Sequence, residues 1–209
     1  PDCWSKMLRF TPPLCDRCGA PLPSWRTISR RHSRCPRCRR QRGVIAHAVA
    51  IGPYEGSLRG ILHAFKYEQR YTLACPLGRL LRQCGAALLS EADVVVPVPL
   101  HPRRQRNRGF NQAHELAVHL GLPVLCALRR RRATVPQTEL TASRRRANAQ
   151  AAFSLAPRYL RTDSRLRNAT VVLVDDVVTT GATLEACAHT LRRNGVREVM
   201  ALTLARAVR

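Results

Sequence analysis

The spacing of apolar residues changes several times along the chain, and each change marks an element. Val44-Ile-Ala-His-Ala-Val-Ala-Ile51 is densely apolar and predicts a strand, and Pro53-Tyr-Glu-Gly56 predicts the turn that ends it. Leu58, Ile61, Leu62 and Phe65 recur at i, i+3, i+4 and i+7, so a helix leads up to Lys66-Tyr67. Leu77, Leu80, Leu81, Cys84 and Leu88 mark a second helix. Val94-Val-Val96 is short and continuously apolar, as expected of a strand covered on both faces. Pro97 and Pro99 lack amide donors, so the chain leaves the sheet there. Ala113, Leu116, Ala117 and Leu120 give a third helical face, closed by Gly121. Val171–Val174 predicts a second buried strand, and Leu184, Cys187, Ala188 and Leu191 its following helix, with Gly195 as the stop. Val196–Leu204 predicts a further strand. Strands alternating with helices indicate an α/β fold with a mostly parallel sheet flanked by helices. No internal repeat is present.

Two segments depart from this rhythm. Residues 129–150 are rich in arginine and weakly periodic, which predicts a mobile loop or exposed arm. Residues 1–43 carry 11 basic and 2 acidic residues with few periodic apolar positions, too little to build a core alone. The pattern changes at Val44, so the chain divides into a small module, 1–43, and a main domain, 44–209.

Five of the nine cysteines fall in the small module. Cys15-x-x-Cys18 and Cys35-x-x-Cys38 are separated by 16 residues, the spacing of a tetrahedral zinc site of knuckle or ribbon type. Gly19 follows Cys18, where a knuckle calls for a permissive backbone. Four sulfur ligands leave no position for water, so the zinc expected here is structural. Two disulfides or free thiols are the alternatives. His32 and His47 are poorly placed to substitute, and Cys3 has no assigned role. Cys75, Cys84, Cys126 and Cys187 stand singly among apolar residues and read as buried thiols.

The formal net charge is +23, and only Lys6 and Lys66 are lysines. Such a balance suits nucleic acid, anionic lipid or phosphorylated small molecules, or reflects an arginine-rich surface alone. No apolar run reaches the roughly 18 residues that span a membrane, and no secretory signal is visible. Membrane insertion is not expected, and the cytoplasm, with reduced thiols, is the expected location.

Against this charge the pair Asp175-Asp176 stands out, set after four apolar residues and before Thr179-Thr180-Gly181-Ala182-Thr183. Ligands of open α/β sheets bind beyond the carboxyl ends of the strands. Adjacent carboxylates there can accept hydrogen bonds from the two hydroxyls of a ribose. A Gly/Thr turn opening a helix offers unpaired amides and hydroxyls to an anion. A plain helix cap would need one such residue rather than two acids and three threonines. A second constellation follows the strand at Val94: Arg103, Arg104, Arg106 and Arg108 crowd six positions, between Pro97-Val-Pro99 and Gly109-Phe110-Asn111. Guanidinium groups at a strand end can clamp a diphosphate, although a bare arginine run can also be a solvated loop.

Val171–Thr183 resembles the phosphoribosyl diphosphate (PRPP) loop of type I phosphoribosyltransferases, with agreement at Asp175, Asp176, Thr179, Thr180, Gly181 and Thr183. Tyr54, Gly56, Lys66-Tyr67, Pro97-Val-Pro99, Arg103, Arg106, Arg108-Gly-Phe-Asn-Gln112, Gln137, Arg145, Asn148, Phe153 and Ala205-Arg206 narrow the resemblance to the ComF family, a competence and DNA-utilisation branch. The resemblance implies a type I phosphoribosyltransferase-like fold carrying a cysteine-rich N-terminal module, which would occupy the place of the cap that selects the acceptor. It implies PRPP binding with Mg²⁺, transfer of the phosphoribosyl group with release of diphosphate, and a part in taking up and handling single-stranded DNA with the uptake machinery. Asp175 and Asp176 would hold the ribose, Thr179 to Thr183 (Ala182 included) the 5′-phosphate, and Arg103, Arg106, Arg108 and Lys66 the diphosphate. The alternative is a zinc-containing single-stranded DNA-binding protein that keeps the pocket without turnover, with Trp4, Trp25 and Phe110 as stacking groups.

Overall fold

The computed structural model describes residues 2–23, 33–41, 43–68, 70–130, 152–159 and 165–208. Its strands are β1 (Ala48–Pro53), β2 (Val94–Pro97), β3 (Leu128–Arg130), β4 (Phe153–Leu155), β5 (Thr170–Val178) and β6 (Glu198–Arg206). Its helices are α1 (Asp2–Ser5), α2 (Pro36–Arg40), α3 (Gly56–Tyr67), α4 (Ala74–Cys84), α5 (Ala86–Ser90), α6 (Pro102–Arg108), α7 (Gln112–Ala117) and α8 (Ala182–Arg193). Four strands form one sheet in the order β1-β6-β5-β2, and every neighbouring pair is parallel. β3 and β4 pair antiparallel as a separate ribbon.

Alternation along the strands sorts the core into two layers. Val94, Val96, Val171, Leu173, Val199 and Ala201 pack with α8 and the β3–β4 ribbon on one face. Val95, Val172, Val174, Met200, Leu202 and Leu204 pack with α3, α4 and α7 on the other. Side chains such as Leu173 and Leu202 are wholly buried, and each contributes about 1.5–3 kcal/mol.

Several boundaries differ from the sequence reading, each for a local reason. β1 begins at Ala48 rather than Val44, because the Val44 amide donates to Glu185 Oε2 at 2.8 Å. The helical run from Leu77 to Leu88 divides at Gly85, where a Cβ would lie 2.5 Å from Leu202 Cδ2. β5 continues to Val178, so the acidic pair lies within the strand. β6 starts and ends two residues later than expected. The arginines after β2 form a helix, not a turn: Pro102 occupies its first turn, His101 Nδ1 accepts from the Arg103 amide at 3.3 Å, and Gly109 closes it at φ 77°. Arg129 and Arg130 lie in β3 rather than in a loop, with the Arg130 guanidinium 5.4 Å from the Phe153 ring centroid. The rest of that segment, with Gln137, Arg145 and Asn148, lies outside the described residues. Beyond β2, Val124 bridges Val95 in parallel, an extension that no apolar period announced. Among the described residues no helix is long and apolar enough to cross a membrane.

The N-terminal segment lies against the β1 edge, where the Phe10 amide donates to Ile51 O at 2.8 Å. A Cβ on Gly52 would run into Leu8 O, so the two backbones meet directly. Trp4 packs against the core layer that holds α3, and Phe110 is buried with its ring 5.4 Å from Phe65 and 4.4 Å from Tyr71. Phe110 thus presents no free face for stacking, Trp4 is half-buried, and Trp25 lies outside the described residues. Of the four single cysteines only Cys187 is fully buried; Cys75, Cys84 and Cys126 are partly exposed.

Candidate functional site

The site builds from the carboxyl end of β5. Alternation sends Asp175 toward the face covered by α8 and Asp176 toward the face covered by α3. Asp176 is 8% exposed, and its Oδ1 lies 3.0 Å from Lys66 Nζ at the end of α3. Lys66 also sits 5.8 Å from the Tyr54 ring centroid. Asp175 Oδ1 accepts from the Asp176 amide at 2.9 Å. The Asp175 carboxyl is pushed up to about 8, first by loss of water and second by the neighbouring charge of Asp176. Lys66 and Arg130 oppose that rise without cancelling it.

After Val178 the chain turns through Thr179 and Thr180, both exposed. Gly181 adopts φ 76°, a left-handed conformation that favours glycine, and α8 starts at Ala182. The Ala182 amide takes Thr180 Oγ1 at 3.4 Å, and the Glu185 amide takes Gly181 O at 2.9 Å. The amides of Thr183 and Leu184 lie in the first turn, where no carbonyl of the helix itself can reach them, which suits an anion.

Lys66 and Tyr67 of α3 and Arg104, Asn107 and Arg108 of α6 line a cleft of about 420 Å³, which the Lys66–Asp176 contact joins to the end of β5. Arg108 donates to Gln112 Oε1 at 3.1 Å and to the Tyr67 hydroxyl at 3.2 Å, and lies 5.0 Å from the Tyr67 ring centroid. Arg106 lines a separate, more open depression with Pro102, Gln105 and Gly109. Of Arg103, Arg106 and Arg108, therefore, Arg108 is the one placed with Lys66, and Arg104 joins it. Arg104 and Arg108 are four apart on one helix face, a relation that is invisible while the stretch is taken for a turn. Tyr67, one of the residues that carry the resemblance, lines the same cleft beside Arg108 and is 59% exposed.

The four cysteines of the small module converge. The sulfurs of Cys15, Cys18, Cys35 and Cys38 all lie within 4.8 Å of one another. Cys18 Sγ is 3.7 Å from Cys35 Sγ, too far for a disulfide of about 2.05 Å. A tetrahedral zinc with sulfurs at about 2.3 Å implies edges of about 3.8 Å, so the donor set fits such an ion. Gly19 adopts φ 67° and its amide donates to Cys15 O at 2.8 Å, which closes the first knuckle. Cys35 caps α2 and its amide donates to Cys15 Sγ at 3.3 Å. Cys15 is drawn down to about 4, chiefly by the hydrogen bond from Cys18. Cys18 is driven up by the same contact, and burial raises Cys38 to about 11. One shared contact thus lowers Cys15 and raises Cys18, as expected of sulfurs crowded together.

Contacts tie this module to the entry into β1, to the first turn of α8 and to the carboxyl ends of β5 and β6. Arg17 is 9% exposed and donates to Ile45 O at 3.1 Å and Gln41 O at 2.6 Å, with Nη2 at 3.5 Å from Glu185 Oε1. His47 Nδ1 lies 2.9 Å from Asp16 O. Arg37 donates to Thr180 O, and Arg206 at the end of β6 donates to Cys18 O.

Residues 79–208 match the phosphoribosyl transferase domain family. The chain is 33% identical over 217 residues to the DNA utilization protein YhgH of Escherichia coli, covering 98% of this chain and 88% of that protein. It is 34% identical over 207 residues to competence protein F of Haemophilus influenzae, covering 93% and 85%. Among solved structures, one described as the allosteric regulatory enzyme of purine biosynthesis aligns with a TM-score of 0.44 and 24% identity, over 68% of this chain and 29% of that one. With a parallel sheet flanked by helices, a matched domain over most of its length and competence and DNA-utilisation proteins as its relatives, the chain belongs to the ComF family of type I phosphoribosyltransferase-like proteins.

Proposed function

We propose that the protein binds PRPP at the carboxyl end of β5 and transfers its phosphoribosyl group to a nucleophile with release of diphosphate. The observation that carries this reading is the convergence on one strand end of Asp175, Asp176, the turn from Thr179 to Thr183 and the cationic cleft of Lys66, Arg104 and Arg108. Asp175 and Asp176 accept hydrogen bonds from the ribose hydroxyls, and Lys66, 3.0 Å away, holds the Asp176 carboxyl in place. The turn from Thr179 to Thr183, Gly181 and Ala182 included, holds the 5′-phosphate through the free amides of Thr183 and Leu184 and the hydroxyls of Thr179, Thr180 and Thr183. In the transfer a bond forms between the nucleophile and C1 while the C1–oxygen bond breaks, and its electron pair leaves with the diphosphate. Arg108 and Arg104 stabilise that growing charge, with Arg103 and Arg106 reinforcing the field of α6. Mg²⁺, bound together with the ligand beside Asp175 and Asp176, would neutralise part of the diphosphate charge. Zinc at Cys15, Cys18, Cys35 and Cys38 holds the small module together and takes no part in the step.

Calorimetric titration with PRPP, with and without Mg²⁺, tests this. One site per chain is expected, with affinity lowered about a hundredfold in the Asp175→Asn, Asp176→Asn double variant, since each lost charged hydrogen bond is worth about tenfold or more. A parent protein that takes up no PRPP under either condition sinks the reading.

A second reading places single-stranded DNA on another face of the same protein, in the cytoplasm, as a partner of the uptake machinery. Exposed Tyr71, near Gly109 and the depression that Arg106 lines, favours it, with Tyr67 exposed in the adjoining Lys66 cleft, because rings amid guanidinium groups suit unpaired bases and their phosphates.

A further inference from the structure

Both knuckles of the cysteine cluster have the same internal arginine: Cys15-Asp16-Arg17-Cys18 and Cys35-Pro36-Arg37-Cys38. The two arginines reach the same short stretch of the main domain from different directions. Arg37 donates to Thr180 O, the carbonyl just before Gly181. Arg17 Nη2 lies 3.5 Å from Glu185 Oε1, on the first turn of α8. Glu185 Oε2 in turn accepts from the Val44 amide at 2.8 Å, which ties that turn to the segment joining module and domain. A third link runs the opposite way, from Arg206 at the end of β6 to Cys18 O inside the first knuckle. A Cβ on Gly43 would strike both Arg17 Nη2 and Glu185 Oε1, so the junction is packed around this ion pair.

A backbone turn held only by its own bonds has few constraints. Among the described contacts of residues 179–182, the internal ones are the 3.4 Å bond from the Ala182 amide to Thr180 Oγ1 and the Gly181 carbonyl that starts α8. The bond from Arg37 adds a charge-assisted anchor from outside the turn, and its donor stands between two metal ligands. We propose that Arg37 is a positioning residue: the metal-bound cysteine knuckles act as a brace that fixes the loop from Thr179 to Glu185, and metal binding in the module thereby sets the affinity of the phosphate site. The proposal rests on the PRPP reading for its effect on affinity; the brace itself is a statement about the loop alone.

The test uses the full-length metal-loaded protein, Arg37→Ala and Arg37→Lys. Amide hydrogen exchange is followed through residues 176–186 without ligand, beside calorimetry with PRPP, metal content and thermal unfolding. In Arg37→Ala we expect one metal per chain as in the parent, an unchanged melting temperature, exchange at 179–185 about tenfold faster from loss of one charged hydrogen bond, and PRPP affinity reduced by a similar factor. Arg37→Lys, which keeps a cationic donor, is expected to recover part of both losses. Metal withdrawal by a chelator is expected to speed exchange in the same loop. Unchanged exchange at 179–185 in Arg37→Ala overturns the brace, as does a loss spread evenly over the molecule with a lowered melting temperature. Absence of PRPP binding in the parent overturns the functional reading instead, and leaves the exchange result to decide the brace.

Discussion

At the scale of single residues, the tension lies in Asp175. Its carboxyl titrates near 8 rather than 3.8, because burial and the charge of Asp176 outweigh the help of Lys66, Arg130 and the Asp176 amide. The folded protein therefore holds a proton that the unfolded chain releases near pH 4. Between about pH 4 and pH 8 the native state binds more protons than the unfolded one, so stability falls as pH rises through that window. Asn at this position keeps an oxygen for the Asp176 amide and removes the ionisation. Asp175→Asn is thus expected to melt above the parent at pH 8 and level with it near pH 4, by thermal unfolding across that range. A variant less stable than the parent at pH 8 would mean that Asp175 is already satisfied as an anion. Stability is being given up here at a residue with no structural need to be acidic, as expected of a site built for a ligand.

At the scale of elements, legibility followed the strength of the period. α3, α4 and α8 carry apolar residues at i, i+3, i+4 and i+7, and the strands at Val94 and Val171 are continuously apolar; these were readable. α6 was not, because a helix exposed nearly all round has no apolar stripe, and only its ends, His101-Pro102 and Gly109, mark it. β3 and β4 are three residues each and defined by their partner across a long gap in sequence, so no window of residues contains the signal. The same limit hid Arg104, while the cysteine pairs and the Asp-Asp-x-x-Thr-Thr-Gly run were local and plain. Gly19 shows a local signal turning into a tertiary one. The sequence suggested it as a permissive knuckle residue; the structure adds that a Cβ there would lie 2.5 Å from Ala48 O, on the first residue of β1. Gly19→Ala is expected to lose at least about 1–2 kcal/mol from the left-handed backbone alone, together with part of its metal. Denaturant unfolding with a metal assay checks this, and an unaltered midpoint would show that knuckle and strand are not in contact.

At the scale of the whole molecule, the charge of +23 remains larger than one bound PRPP requires. Arg106 lines its own depression with Pro102, Gln105 and Gly109, outside the cleft that Lys66, Arg104 and Arg108 share. Tyr71, 47% exposed, stands close to Gly109 of that depression, and Tyr67, 59% exposed, lines the neighbouring cleft with Arg104 and Arg108, in a protein whose total aromatic content is 5%. Two of so few rings left open on one basic face argue for a partner that uses both charge and stacking. An oligothymidylate is the suitable probe, since it cannot pair with itself. Its affinity is expected to fall log-linearly with salt at a slope of about −0.7 for each phosphate neutralised. Tyr67→Ala and Tyr71→Ala are each expected to weaken binding about tenfold at fixed salt, the size of one base–ring stack. The Asp175→Asn, Asp176→Asn variant, weakened toward PRPP, is expected to bind the oligonucleotide as the parent does. If that variant loses DNA as well, the strand lies across the sugar-phosphate pocket and the two faces are one. If neither tyrosine matters and only salt does, the positive charge is a diffuse field and this surface has no specific partner of that kind.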